Sequence, residues 1–163
     1  KETAHFIDNK LNNARYQTIV HGDSKLANFC FSDLSTTIET EIDNNLMNAV
    51  INPPPRVAAV DFQYVGKGVG VKDLAYFLGS CLACDELTKL HNELLDYYFK
   101  VLGLASNKHH PDINISELEK EWRMLYSFAN ADFHRFLQGW SPEHHKINGY
   151  LKAQSDLALR YCT

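Results

Sequence analysis

Thr18-Ile19-Val20-His21-Gly22-Asp23-Ser24-Lys25-Leu26-Ala27-Asn28 is the stretch that decides the fold. It is answered further along the chain by Val57-Ala58-Ala59-Val60-Asp61-Phe62-Gln63. Each begins with a short apolar run that predicts a strand. Each then delivers a carboxylate where the strand should end, Asp23 in the first and Asp61 in the second. Asn28 follows Asp23 by five residues.

His-x-Asp with Asn five residues after the Asp is the spacing of a kinase catalytic loop, and Asp-Phe-x is that of the metal-binding segment that follows it. The spacing has a chemical reason. A phosphoryl group in flight needs an aligned nucleophile and cations that neutralise its oxygens, and little covalent help. Asp23 is placed to accept the proton of a substrate hydroxyl. Asn28 offers a neutral oxygen and Asp61 a charged one, hard donors suited to Mg²⁺, which keeps waters and takes few protein groups. Lys25 is positioned to meet the transferring phosphate as a point charge. Without that chemistry, Asp23 and Asp61 would be ordinary turn and cap residues at strand ends.

His21-Gly22-Asp23, then Asp61-Phe62-Gln63 and Lys72-Asp73-Leu74-Ala75-Tyr76-Phe77-Leu78, resemble the aminoglycoside phosphotransferase / choline kinase superfamily. The Asp-Phe-Gln triplet and the Asp-Leu-Ala-Tyr-Phe-Leu run are most similar to its ecdysteroid-kinase-like branch. Ala131-Asp132-Phe133-His134-Arg135-Phe136-Leu137-Gln138-Gly139-Trp140 resembles the C-terminal part of such proteins. Many members carry His two residues after the catalytic Asp, whereas this chain has Lys25. The resemblance implies an α+β, mainly α fold: a kinase-like C-lobe whose small β-hairpin bears the catalytic and metal-binding loops and packs on a helical bundle. It implies ATP and Mg²⁺ as cofactors, held through Asn28 and Asp61, and a small-molecule alcohol as substrate. It also implies that Asp73, besides its favourable place at a helix N-terminus, reaches back to hold the catalytic loop. His21 is expected to orient the loop, leaving Asp23 as the base. In this superfamily the C-terminal helices wall the acceptor site, so Asp132, His134 and Trp140 are candidate pocket residues.

Outward from the two loops, residues 1–16 carry Ala4, Ile7, Leu11 and Ala14 at helical spacing and predict a helix before the first strand. Phe29-Cys30-Phe31 predicts a short strand. Residues 32–56 hold an Asn-rich patch and Pro53-Pro54-Pro55, which favours an extended spacer. The expectation is a loop insertion, with a weak helical turn or two over 38–50. Gly66-Lys67-Gly68-Val69-Gly70 lacks the Gly-Lys-Ser/Thr ending of a phosphate loop; its glycines are expected to allow tight turns near the substrate. Lys67 and Lys72 are further candidates for substrate or phosphate contact. Beyond it the spacing predicts helices over 73–84, over 86–102 with Gly103 as stop, over 116–140 with Ser116 and Glu119 as a capping box, and a last one opened by Ser141-Pro142-Glu143.

At 163 residues the chain is one domain's worth, with a core of ordinary size. A net charge of -4 and no long basic run argue against a nucleic-acid surface. No apolar run approaches the ~20 residues of a membrane span. Four cysteines without a scaffold pattern fit a reducing, cytoplasmic setting. Cys81-x-x-Cys84 reads as two buried thiols, since no second Cys or His pair completes a zinc site. His109–His110 and His144–His145 read as surface pairs, because neighbours in sequence do not face one another on a helix.

No strand-borne Ala-x-Lys, partner Glu or glycine-rich loop precedes the first motif. Residues 1–163 are therefore expected to be the C-terminal catalytic lobe, with the N-terminal ATP-binding lobe as the missing partner. The leading expectation is an ATP-dependent kinase transferring phosphate to a small-molecule hydroxyl, weak or inactive as this lobe alone. The alternative is a non-catalytic kinase-like binding module. A protein kinase, which Lys25 would suit, is disfavoured by His-Gly-Asp, by the short span from Asp61 to Asp73 and by the lack of Ala-Pro-Glu. Steroid, amine, aminoglycoside and other alcohols all remain open as acceptors, with the aromatic C-terminal region leaning towards an apolar or cationic one.

Overall fold

The computed structural model describes residues 2–32 and 56–161. The expected insertion lies outside them except for its ends: Ser32 N–H donates to the Arg56 carbonyl, and Arg56 N–H to Ser32 Oγ, both at 2.9 Å. The helical turns expected over 38–50 also lie outside the described residues.

Helix α1 spans Glu2–Asn12 and buries Ile7 and Leu11, one face of its apolar spacing. Four three-residue strands follow: β1 (Thr18–Val20), β2 (Phe29–Phe31), β3 (Val57–Ala59) and β4 (Gly66–Gly68). A single hairpin was the expectation. Two antiparallel pairings form instead, β1 with β4 and β2 with β3. Gly66 and Gly68 therefore sit in a strand and not in tight turns: they pair with Val20 and Thr18. A Cβ on Gly68 would stand 3.1 Å from Val20 Cγ2, so the small residue permits a close strand contact.

Helices α2 (Val71–Cys81), α3 (Cys84–His109), α4 (Ile115–Trp140) and α5 (Gly149–Leu159) complete the described fold, which is mainly helical. Helix α2 ends at Cys81 and not at 84, where α3 already begins, and three further limits differ from the sequence expectation, each for a local reason. Gly103 does not stop α3, because Leu102 and Ser106 continue the inward face; the last turn carries Lys108, a cation suited to its carbonyl end, with Pro111 beyond. The cap of α4 is Asn114, whose side chain accepts the Glu117 N–H at 3.2 Å, and not Ser116. Ser141-Pro142-Glu143 starts no helix; it lies in a turn where His144 N–H reaches the Ser141 carbonyl, and α5 begins later with Asn148 capping Leu151 N–H at 3.0 Å.

Helix α4 is the spine, packing against α1, α2, α3 and α5. Its Leu125 and Phe128 are almost wholly buried, and Trp122 donates its indole N–H to the Tyr16 carbonyl at 3.0 Å. Gly70, just before α2, allows the helix to approach: a Cβ there would stand 2.6 Å from the Trp122 ring. Thus α2, and the loops packed on it, are seated against the spine. Among the described residues no helix is long and apolar enough to cross a membrane, and Cys30, Cys81 and Cys84 are free thiols.

Candidate active site

The catalytic-type loop runs from β1 to β2 and the metal-type loop from β3 to β4. Because β2 pairs with β3 in the register Phe29 to Ala59, their ends meet: the Val60 N–H donates to the Asn28 carbonyl at 2.9 Å. The strand pairing therefore brings Asp61 beside Asn28.

Asp23 is nearly buried. Its carboxylate accepts from Lys25 Nζ at 2.7 Å and from Asn28 Nδ2 at 3.0 Å, both on Oδ2, and from the Tyr76 hydroxyl. Burial pushes the Asp23 carboxyl up, but the bonds from Lys25, Tyr76 and Asn28 outweigh it and leave the group below its ordinary 3.8. Asp23 is thus ionised at neutral pH. The Lys25 ammonium is raised, chiefly by its bond to Asp23. Tyr76 is pushed up to about 12 by burial and then by the Asp23 charge, so its phenol remains a proton donor to that carboxylate.

The backbone of the loop is held from α2. Asp73 Oδ2 accepts the His21 N–H at 2.6 Å and Oδ1 the Gly22 N–H at 3.0 Å, while Ser24 Oγ donates to the Asp73 carbonyl at 2.7 Å. Leu26 N–H donates to Ser80 Oγ at 2.8 Å. Asp73, Tyr76 and Ser80 fall three and four residues apart, on one face of the helix. The His21 ring joins the two loops: Nε2 lies 2.8 Å from the Val60 carbonyl, and Nδ1 is 3.3 Å from the Asp23 N–H.

Asn28 and Asp61 offer oxygen donors of the kind Mg²⁺ takes. Asn28 Nδ2 is committed to both the carbonyl and Oδ2 of Asp23, which turns its remaining capacity to the acceptor Oδ1. Asp61 is exposed, has no hydrogen bond among the described residues, and is held at φ 65° in the left-handed region, where Asp is better tolerated than most residues. A non-glycine residue kept in that region beside a polar cluster is a feature of functional sites. Among the described residues no group of three His, Cys, Asp or Glu is gathered for a metal, so any ion here would keep several waters.

A cavity of about 700 Å³ opens over Asp23, within the usual range for a small-molecule site. The 63–67 segment forms one side, and the C-terminal half of α4 the other, through Asp132, Phe133, Phe136 and Trp140. Lys72 and Lys67 line it too, with Lys72 paired to Asp132 at 3.3 Å. His134 is not in it. Its Nδ1 lies 2.9 Å from Ser155 Oγ, so it faces α5, one helical step away from Phe133. Tyr76 lies in a run whose composition predicts only buried apolar packing. It lines the cavity, packs 4.3 Å from the Phe133 ring and has Lys146 Nζ over its ring at 5.4 Å. Its position three residues after Asp73 is the one signal of this role in the sequence.

Comparison with curated proteins and with solved structures finds no match. The model of the ecdysteroid kinase-like family matches residues 3–109. That span takes in both loops, the four strands and α2, and stops before the α4 wall. The match covers about two thirds of the chain, its loops and their strand supports included, and the chain belongs to the ecdysteroid kinase-like family.

Proposed function

We propose that this kinase-like chain is the catalytic lobe of an ATP-dependent small-molecule kinase, transferring the γ-phosphate to a substrate hydroxyl. The observation that carries the reading is the Asp23 carboxylate, ionised, at the floor of a ligand-sized cavity and next to the Asn28–Asp61 pair.

The residues divide the work as follows. A carboxylate offers about four lone-pair sites, and Lys25, Asn28 and Tyr76 occupy three. The fourth is left for the acceptor hydroxyl, whose proton Asp23 takes as the oxygen attacks. Lys25 sets a fixed positive charge beside that oxygen. Asn28 Oδ1 and Asp61 would hold Mg²⁺, which when bound neutralises phosphate oxygens. Asp73 and His21 keep the two loops in register, so that alignment costs no reorganisation during transfer. The firm grip on adenine belongs, in this reading, to an N-terminal lobe outside these residues.

The test is phosphorylation of a panel of small alcohols with Mg²⁺ and ATP under prolonged incubation, with product detected by mass spectrometry. Slow transfer is expected, and Asp23→Asn should reduce it by about 10²-fold or more, the worth of a positioned base. Transfer unchanged in Asp23→Asn would refute the assignment.

A further inference from the structure

We propose that the acceptor bound over Asp23 carries an anionic group, a carboxylate or a sulfate, on a flat apolar body. The proposal rests on the kinase reading for which end of the ligand faces Asp23. Its substance comes from the charges of the cavity.

Four cations and three carboxylates line the cavity. At its floor the charges are spent. Lys25 is paired with Asp23 at 2.7 Å, and Asp73 uses both oxygens on the backbone amides of His21 and Gly22. The other charges lining it are Lys67, Lys72, Arg135 and a single carboxylate, Asp132. Asp132 already serves two cations: Oδ2 lies 3.3 Å from Lys72 Nζ, and Oδ1 accepts from Arg135 at 2.7 and 3.3 Å. Lys67 has no ion pair among the described residues. This group thus holds a surplus of positive charge, and an ammonium beside it would find its counter-charge taken. Amine alcohols such as choline or aminoglycosides are therefore poor candidates, and an anion is the complement. The body of the ligand is set by the same wall. Phe136 and Trp140 stack with centroids 6.1 Å apart and planes 15° from parallel, yet they are 52% and 67% exposed, leaving open ring faces beside the cations.

The experiment follows the indole N–H resonance of Trp140 by NMR. The second tryptophan, Trp122, is buried and bonded to Tyr16, which separates the two signals. Three matched probes are titrated: 6-hydroxy-2-naphthoate, 2-naphthol, and the naphthol bearing an aminomethyl group in place of the carboxylate. The naphthoate should bind about tenfold more tightly than the naphthol, with the ammonium weakest. Lys67→Gln and Arg135→Gln combined should erase most of that preference, read within the variant as the ratio of the acid's dissociation constant to the naphthol's. The order should persist with Mg²⁺ and a non-hydrolysable ATP analogue present. Equal binding of the acid and the naphthol, tightest binding of the ammonium, or no effect of any probe on Trp140 would overturn the proposal. Loss of the preference when the nucleotide analogue is added would also overturn it, by assigning these cations to the donor phosphates. The expected binding order without any phosphoryl transfer would uphold the anion preference and count against the kinase reading alone.

Discussion

Gly22 explains why His-Gly-Asp stands where a bulkier middle residue is common in the wider kinase pattern. It has φ 81°, and a Cβ there would run into the carbonyl of Tyr64 and stand 2.9 Å from that residue's Cβ. Both the backbone conformation and the neighbour exclude a side chain. Gly22→Ala should cost about 1–3 kcal/mol, read from urea denaturation, and should displace the 62–64 turn. Gly139 provides the comparison, since a Cβ there would meet nothing within 4 Å and its φ is not positive: alanine should stabilise α4 by about 0.4–1 kcal/mol. A smaller loss at position 22 than at 139 would sink this explanation. At this scale the placing of Asp23 and Asp61 just past strand ends was legible in the sequence, because each follows a short apolar run. Tyr64 as the neighbour of Gly22 was not, since the contact is made by chain folding. His134 was misplaced for a similar reason: Phe133 and His134 differ by one step in sequence but face different helices.

Helix α2 is the support on which the catalytic-type loop is mounted. Asp73 accepts two loop N–H groups, Tyr76 donates to Asp23, and Ser80 accepts the Leu26 N–H. Asp73→Asn should cost about 1.5–3 kcal/mol, because hydrogen bonds to a charged acceptor are lost, and Ser80→Ala about 0.5–1.5 kcal/mol. In thermal melts of both variants, a cost at Ser80 equal to or above that at Asp73 would contradict the ordering. Asp73 could be read from sequence through family resemblance, and the helix itself through its apolar run. The polar stripe at 73, 76 and 80 was hidden within that run. The limits of α3, α4 and α5 depart from the sequence expectation where a local signal competes with packing: Gly103 sits inside a helix whose inward face continues past it, and Pro142 follows the end of α4 without opening another helix.

For the whole molecule, α4 joins the core to the cavity wall, so groups buried along it tie stability to pH. Burial holds the His134 imidazole below its ordinary 6.5, and the nearby Lys152 charge acts in the same direction. The unfolded chain then binds more protons than the folded one as pH falls below 6.5, and stability declines there. The stability associated with this group is complete above 6.5 and lost on acidification. Urea midpoints should fall between pH 7.5 and 5.5 in the native chain and fall less in His134→Gln; His144, held low first by burial and then by His145 and Lys146, acts in the same direction. An identical drop in both proteins would remove His134 from this role. The mainly helical class was legible from periodicity. The crossed pairing of four short strands was not, because three-residue strands contain too little alternation to specify a partner.

We propose that Asn28 and Asp61, brought to neighbouring strand ends by the β2–β3 register, hold the metal and its nucleotide. The most direct test is NMR titration of the chain with ATP, with and without Mg²⁺, beside Asp61→Asn, which keeps a residue tolerant of positive φ and removes only the charge. The account predicts weak binding, with a dissociation constant on the order of 1 mM, dependent on Mg²⁺, centred on residues 28 and 61, and at least about tenfold weaker in the variant. Shifts that are absent, indifferent to Mg²⁺, or unchanged in Asp61→Asn would contradict it.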